Sequence, residues 1–453
     1  MKKLCMLMAV ILLFSFAFTS CGMFKPFNPK ALEKGIDKQM SRLSSYRAEE
    51  KMTMIFYNSG KRVDAGSTGE IIVSDGRGDD NYYYQRLDTK VISKGLGLDH
   101  ATTSILAYND GNMFSLNTGN QLNQRLYSPM DFDEFVDILE DHTGSELSYS
   151  DCGKSKLEQN DDGGWILECS DYSTENINIM TEKLGLDSSV FNLVAKDVNV
   201  TVECDNKLRM EKMKMVFVFD ESDRKPTVEI ETTYSQYNNA NRVTDLIDPE
   251  DYKKTEHLKL IYDLENKLNE MENAEEGAFE MGISQKVSRS SQILSSENEK
   301  NSVSYGVKDG KFYYDITSEK GKEKYTIAYE DGTKTSTSKT NYVRETPQTE
   351  QQAKEYISSL IRASGYSYGV VTNIVKESDR QYKLECQVPI SDYKKMFDAL
   401  NVKYSSSTYE ITVLVNKDGE FEKLNSVINI KARSGSNAFT INISSSLKIN
   451  LDE

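Results

Sequence analysis

Apolar residues recur along this chain at two spacings, and the spacings alternate in the same order twice. Leu32, Ile36, Met40 and Leu43 fall on one face of a helix, as do Ile261, Leu264, Leu268 and Met271 much later in the chain. Strands follow each helix, with Tyr82-Tyr83-Tyr84 opposite Phe312-Tyr313-Tyr314. Ser128-Pro129 and Thr346-Pro347 then read as an N-cap with proline at the first helical position. The helix they announce is apolar along Phe132, Phe135, Val136 and Leu139 in the first case, and along Tyr356, Ile357, Leu360 and Ile361 in the second. A strand carrying Cys169 or Cys386 leads to a short helix near 173–185 or 391–401. The closing strands alternate strictly: Phe439, Ile441, Ile443, Ser445, Leu447, Ile449 and Leu451 share one face, with Thr440, Asn442, Ser444 and Ser446 on the other. Such alternation predicts an antiparallel sheet with one covered and one wet face. Asp162-Gly163 and Asp418-Gly419 mark hairpin turns.

Sequence markers strengthen the impression of a repeat. Trp165-Ile166-Leu167-Glu168-Cys169 returns as Tyr382-Lys383-Leu384-Glu385-Cys386 at an offset of 217, and Ser128-Pro129 as Thr346-Pro347 at 218. Lys51-Met52-Thr53-Met54 faces Ala278-Phe279-Glu280-Met281 at 227, and Val200-Thr201-Val202 faces Ile411-Thr412-Val413 at 211. Residues 30–250 and 255–453 therefore read as duplicated domains, divided in the polar stretch Asp248-Pro249-Glu250-Asp251. The expected fold class is α+β: in each domain a curved antiparallel sheet, an open half-barrel, with helices on its concave face.

The first twenty residues add a targeting expectation. Lys2 and Lys3 precede an apolar run from Leu4 to Phe18, 15 residues long, which is short for a bilayer span of about 20 residues. Phe18-Thr19-Ser20-Cys21-Gly22 resembles a bacterial lipobox, in which the cysteine is acylated and the peptide before it removed. The resemblance implies residues 1–20 as signal peptide, 21–29 as a lipidated tether, and a diacylglyceryl group on Cys21 as the membrane anchor. Fatty acyl chains such as palmitate would hold the protein on the extracytoplasmic face of the cell membrane. The net charge of −16 becomes −18 once residues 1–20, with two lysines and no acid, are removed. A chain so acidic repels nucleic acid and anionic lipid heads alike, so no nucleic-acid partner is expected and the acyl group alone must anchor it.

The search for catalytic chemistry finds little. Gly365-Tyr366-Ser367-Tyr368-Gly369 matches the nucleophile-elbow string, yet a helix precedes it and a strand follows, the reverse of what an elbow needs. The histidines, His100, His142 and His257, all lie earlier than that serine and do not cluster. No metal-ligand spacing occurs, so neither a metal nor another cofactor is expected, and the chain is read as a non-enzyme. Cys169, Cys204 and Cys386 sit on apolar strand faces and read as small buried hydrophobes. Cys152 and Cys169 flank a hairpin, which leaves a cross-strand disulfide open; packing already explains Cys169.

The element order, with Ser44-Ser45-Tyr46 leading into a Met-rich first strand, resembles the LolA/LppX-type family of extracytoplasmic carriers and related lipoproteins. That resemblance implies acyl chains cradled between sheet and helices. Trp165, Leu167, Tyr382, Leu384, Phe439, Ile441 and Ile443 are then the candidate groove lining, with Trp165 and Tyr382 at matched positions. Two functions remain: a membrane-anchored module that binds hydrophobic groups, such as acyl chains of lipids or lipoproteins, or a structural or protein-interaction lipoprotein without a lipid cavity.

Overall fold

The computed structural model describes residues 28–449 except 59–60, 75–80, 95–97, 120–121, 144–147, 184–194, 220–225, 244–247, 291, 322, 339–341, 364–365, 367, 389–396 and 398–400. The signal segment, Cys21, Leu451 and most of the helix expected near 391–401 lie outside the described residues. The chain divides into two compact units, one of residues up to 254 apart from 121–126, the other of 255 onward together with 121–126.

The first sheet's sequence begins with α1 (Pro29–Met40), followed by β1 (Ser45–Asn58), β2 (Lys61–Ser74), β3 (Tyr82–Ser93), β4 (Leu98–Asn109), β5 (Asn112–Gly119) and β6 (Leu122–Pro129), of which only 127–129 fall in the first unit. Next come α2 (Phe132–Thr143), β7 (Cys152–Gln159), β8 (Trp165–Tyr172) and α3 (Thr174–Lys183). The sheet closes its sequence with β9 (Ala195–Cys204), β10 (Met210–Phe219), β11 (Thr227–Ser235) and the short β12 (Lys253–Lys254). The second unit opens with α4 (Leu258–Asn273), β13 (Gly277–Arg289), β14 (Gln292–Lys308) and β15 (Lys311–Lys320). It continues with β16 (Glu323–Glu330), β17 (Thr333–Thr337), β18 (Val343–Pro347), α5 (Glu350–Arg362), β19 (Val371–Ser378) and β20 (Gln381–Cys386). It ends with β21 (Lys403–Val415), β22 (Phe421–Ser434) and β23 (Asn437–Ile449).

The strand orders are β12-β6-β5-β4-β3-β2-β1-β11-β10-β9-β8-β7 and β18-β17-β16-β15-β14-β13-β23-β22-β21-β20-β19. With β12 set aside, the two sheets run in the same order. Both are open, and every ladder whose register is resolved is antiparallel, including those of β1 with β11 and β13 with β23, strands far apart in sequence. The expected α+β class gives way to a predominantly β architecture, because strands of up to 17 residues outweigh a few short helices.

The helices of each unit share one sheet face. Phe135 of α2 packs on Tyr83 and Tyr108 at ring distances of 5.4 and 5.2 Å. In the second unit Tyr356 of α5 lies 5.7 Å from Tyr314, and the Tyr305 hydroxyl donates to the Met271 carbonyl of α4 at 2.6 Å. This helix side holds the main core, including Leu32, Ile36, Met54, Val200 and Met215 in the first unit and Ile261, Met281, Ile411 and Leu447 in the second. A smaller apolar cluster of Ile72, Tyr82, Tyr84, Phe114 and Tyr252 occupies part of the first sheet's other face.

Two expectations about helix starts need correction. Pro129 ends β6 and Pro347 ends β18, where Pro347 pairs with Thr333 at a sheet edge that tolerates the missing N–H. The caps come later: Asp131 accepts from the Glu134 N–H at 2.8 Å, and Thr349 forms a reciprocal capping box with Gln352.

The hairpins set the correspondence between the two sheets. Asp205 to Arg209 and Asn416 to Glu420 make the same turn: in each the first residue's N–H reaches the fifth residue's carbonyl, and its side chain caps the turn's N–H groups. Leu208 and Gly419 take the left-handed position, with φ of 61° and 87°. From this anchor Val202 corresponds to Val413, which pairs with Tyr382, whereas Val202 pairs with Leu167. Trp165 and Tyr382 are therefore not register-matched; the shift is two residues along the strand, which preserves the face. The same ladders place Met52 opposite Ile230 and Ile283 opposite Ser445, moving the first-strand marker four residues from its sequence match.

Candidate binding site

Strands β1–β4 pair without a bulge, so each face can be read directly from the register. The outward face is charged: Arg47, Glu49 and Lys51 on β1, Arg62, Asp64 and Glu70 on β2, and Arg86, Asp88 and Lys90 on β3. Those charges pair with one another, Arg47 with Glu49 and Glu70 at 3.1 and 2.9 Å, and Arg86 with Asp88 at 2.8 Å. They line an open cavity of about 460 Å³ that also reaches Glu50, Gly69, Glu231 and Thr233. Its cations and carboxylates neutralise each other across neighbouring strands, which is how a wet sheet face is stabilised. Its lining holds three cations, Arg47, Lys51 and Arg86, against five carboxylates, Glu49, Glu50, Glu70, Asp88 and Glu231, and Lys212 pairs with Glu231 at 2.8 Å from outside it.

The helix side of the same strands is built differently. Glu50 and Met52 on β1, Gly69 and Ile71 on β2, Gln85, Leu87, Thr89 and Val91 on β3, and Thr102, Ser104 and Leu106 on β4 form one contiguous half-buried field. Its helix-side positions carry neither lysine nor arginine, and Glu50 is its one carboxylate. The row through Glu50 runs Thr232, Glu50, Gly69, Leu87, Ser104 and Asn117 across five ladders. Gly69 leaves Glu50 and Leu87 room on either side, since a Cβ there would lie 3.4 Å from the Glu50 Cβ. Burial raises the Glu50 pKa from its ordinary value of 4.5, and no hydrogen-bonding donor offsets that rise. Tyr234, buried beside it, is pushed up by desolvation and then by the Glu50 charge.

Toward β8–β11 the helix side is filled. Leu167, Cys169, Val200, Val202, Met213, Met215 and Ile230 are all buried, with Ile177 and Met180 of α3 also inside. Of the sequence-derived lining, Leu167 therefore lies in this packed half, and Leu384, Phe439 and Ile441 are buried in the second unit. Trp165, Tyr382 and Ile443 are half-buried. The register brings Tyr382, Leu384, Phe439, Ile441 and Ile443 to one face of the second sheet, with the His257 ring 5.2 Å from that of Tyr382. The half-buried field of β1–β4 was missed in the sequence, because its polar members break the apolar alternation.

The second unit has a carboxylate on its own helix side, Glu299, and it is saturated. Asn301, Ser318 and Tyr325 all donate to one of its oxygens, at 3.3, 3.3 and 3.1 Å. Arg362 further clamps α5 to α4 through Glu265 at 2.7 Å and Glu272 at 2.8 Å.

The remaining chemical candidates resolve into packing. Tyr366 of the elbow-like string is buried and its hydroxyl donates to the Ile261 carbonyl at 2.5 Å; Gly365 and Ser367 lie outside the described residues. His100 lies on β4, His257 precedes α4, and His142 lies in α2. Among the described residues no group of three His, Cys, Asp or Glu is placed to hold a metal, and no helix is long and apolar enough to cross a membrane. The described cysteines are free. Cys152 pairs with Tyr172 and Cys169 with Ser155, so the two thiols are not directly opposite across the hairpin. Burial, then the neighbouring Cys152 thiol, pushes the Cys169 pKa up.

No protein-family model matches the chain, and no curated protein matches it. Among solved structures, Rv2717c from M. tuberculosis is similar at 9% identity, covering 44% of this chain and 97% of that one, with a TM-score of 0.16. A DUF1329 family protein from Desulfovibrio piger is similar at 12% identity, over 43% of this chain and 94% of its own, with a TM-score of 0.17. The ywiB protein from Bacillus subtilis is 12% identical over 42% of this chain and 92% of its own, with a TM-score of 0.13. Scores this low carry no functional weight.

Proposed function

We propose that this chain is an extracytoplasmic lipoprotein of LolA/LppX type, anchored through an acylated Cys21, whose first unit binds a hydrophobic ligand without catalysis. The observation that carries the reading is the half-buried helix-side field of β1–β4. A partly exposed sheet surface in a chain with 28% charged residues is ordinarily charged, as the outward face of the same strands is. Here Met52, Ile71, Leu87, Val91 and Leu106 are left half-buried instead. Covering them would remove apolar area from water at roughly 25 cal/mol per Å². The repeated strand order is consistent with a duplicated carrier domain.

The structural alternative draws its support from the second unit, where Leu384, Ile441 and Leu447 are fully packed and Glu299 is satisfied internally. On this account the first unit binds and the second supports or presents it.

The test is direct. The mature chain carrying Cys21→Ser, incubated with a total bacterial lipid extract and repurified, should release a bound lipid on solvent extraction. Recovery no greater than from an unrelated soluble protein overturns the binding reading. Metabolic labelling with a fatty acid tests the anchor separately: the wild type should be marked and Cys21→Ser should not.

A further inference from the structure

The chemistry of the ligand's polar end follows from which hydrogen-bonding capacities this field leaves unused. Resting on the binding reading above, we propose that the first unit selects an amphiphile whose head bears hydroxyl or ammonium donors and discriminates against anionic heads. Three observations carry this.

Glu50 is the one carboxylate of the field, and no described side chain donates to it or pairs with it. Next, the neighbouring groups are already committed in a way that leaves acceptors facing the ligand. The Ser104 hydroxyl donates to Asn117 Oδ1 at 2.6 Å, so its oxygen lone pairs remain. Thr89 and Thr102, directly paired, present hydroxyls that can accept as well as donate. Gln85 is the donor-rich exception, because its carbonyl already takes the Tyr83 hydroxyl at 2.9 Å. Finally, the helix-side positions of β1–β5 hold a single lysine or arginine, Lys61, which pairs with Asn58 at the far end of β2, eight residues from the Gly69 that faces Glu50, so a phosphate or carboxylate head beside Glu50 would meet it without a counter-charge. Like charges at close range in a partly buried site repel strongly, whereas an alkyl tail can extend over Met52, Leu87 and Val91 whatever the head.

The experiment compares chain-matched probes below their micellar concentrations: dodecyl maltoside, dodecylammonium and dodecyl phosphonate, binding to the mature full-length Cys21→Ser protein. The maltoside and ammonium probes should bind about ten-fold or more tightly than the phosphonate. Glu50→Gln should shrink that ratio toward unity by improving phosphonate binding. Glu50→Gln is nearly isosteric, and circular dichroism of the variant checks that it folds. Equal affinity for all three probes, or a ratio that Glu50→Gln leaves unchanged, overturns the head-group proposal and leaves the binding reading intact. Failure of every probe to bind overturns both.

Discussion

The two units build the same sheet and spend its helix side differently. Following the ladders out from their shared turn, Glu50 in the first unit stands where the second has Met281, and Ser67 where the second has Glu299. Glu299 has three donors on one oxygen, whereas Glu50 has none. Met215 and Ile230 in the first unit face each other where Ser426 and Ser445 share a buried hydrogen bond of 2.7 Å in the second. Topology is thus indifferent to where a sheet keeps its polar groups. Both carboxylates are half-buried; what separates them is that Glu299 has been given donors and Glu50 has not.

The largest effect should separate packed from open halves. Leu167→Ala, at 1% exposure, should cost about 2–5 kcal/mol, while Leu87→Ala in the half-buried field should cost under about 2, both read by urea unfolding. Equal losses would mean that the field is as tightly packed as the core.

Next, Glu299→Ala should cost about 1.5–3 kcal/mol by stranding the Asn301, Ser318 and Tyr325 donors. Glu50→Gln should do the opposite. Burial favours the protonated carboxyl in the folded state, so stability is fully present at low pH and declines as pH rises from about the ordinary value of 4.5 through the raised folded pKa. The variant should therefore melt higher than the wild type at neutral pH and converge with it in acid. A wild type more stable than Glu50→Gln at neutral pH would imply a hidden partner for the carboxylate.

The smallest effect lies in the shared turn. Gly419 has open space around its missing Cβ and a φ of 87°, so Gly419→Ala should cost about 1–2 kcal/mol from backbone strain alone. Leu208→Gly relieves the same strain but loses a side chain only 6% exposed, so thermal melts should show little net change.

These contrasts also explain what was legible in the sequence. The alternation from Phe439 to Ile449 is visible because one face is buried and apolar, and β23 follows it. The turn glycines Gly163 and Gly419 were readable from their need for positive φ. Proline misled: before a helix and at a strand end it satisfies the same constraint, and only the caps Asp131 and Thr349 distinguish them. Register was out of reach too, since a shift of two or four residues leaves every side chain on its face. The candidate site was least visible of all. Glu50, Gln85, Thr89, Thr102 and Ser104 interrupt the apolar alternation, and their kinship appears only when four strands are laid side by side.

Photo-crosslinking tests the central claim most directly. A monoacylglycerol with a diazirine in its tail, bound to the mature protein and activated, should label peptides spanning residues 48–71 and 83–106 of the first unit. Label concentrated in the second unit, or spread evenly over both, would contradict the assignment of the helix side of β1–β4 as the binding face.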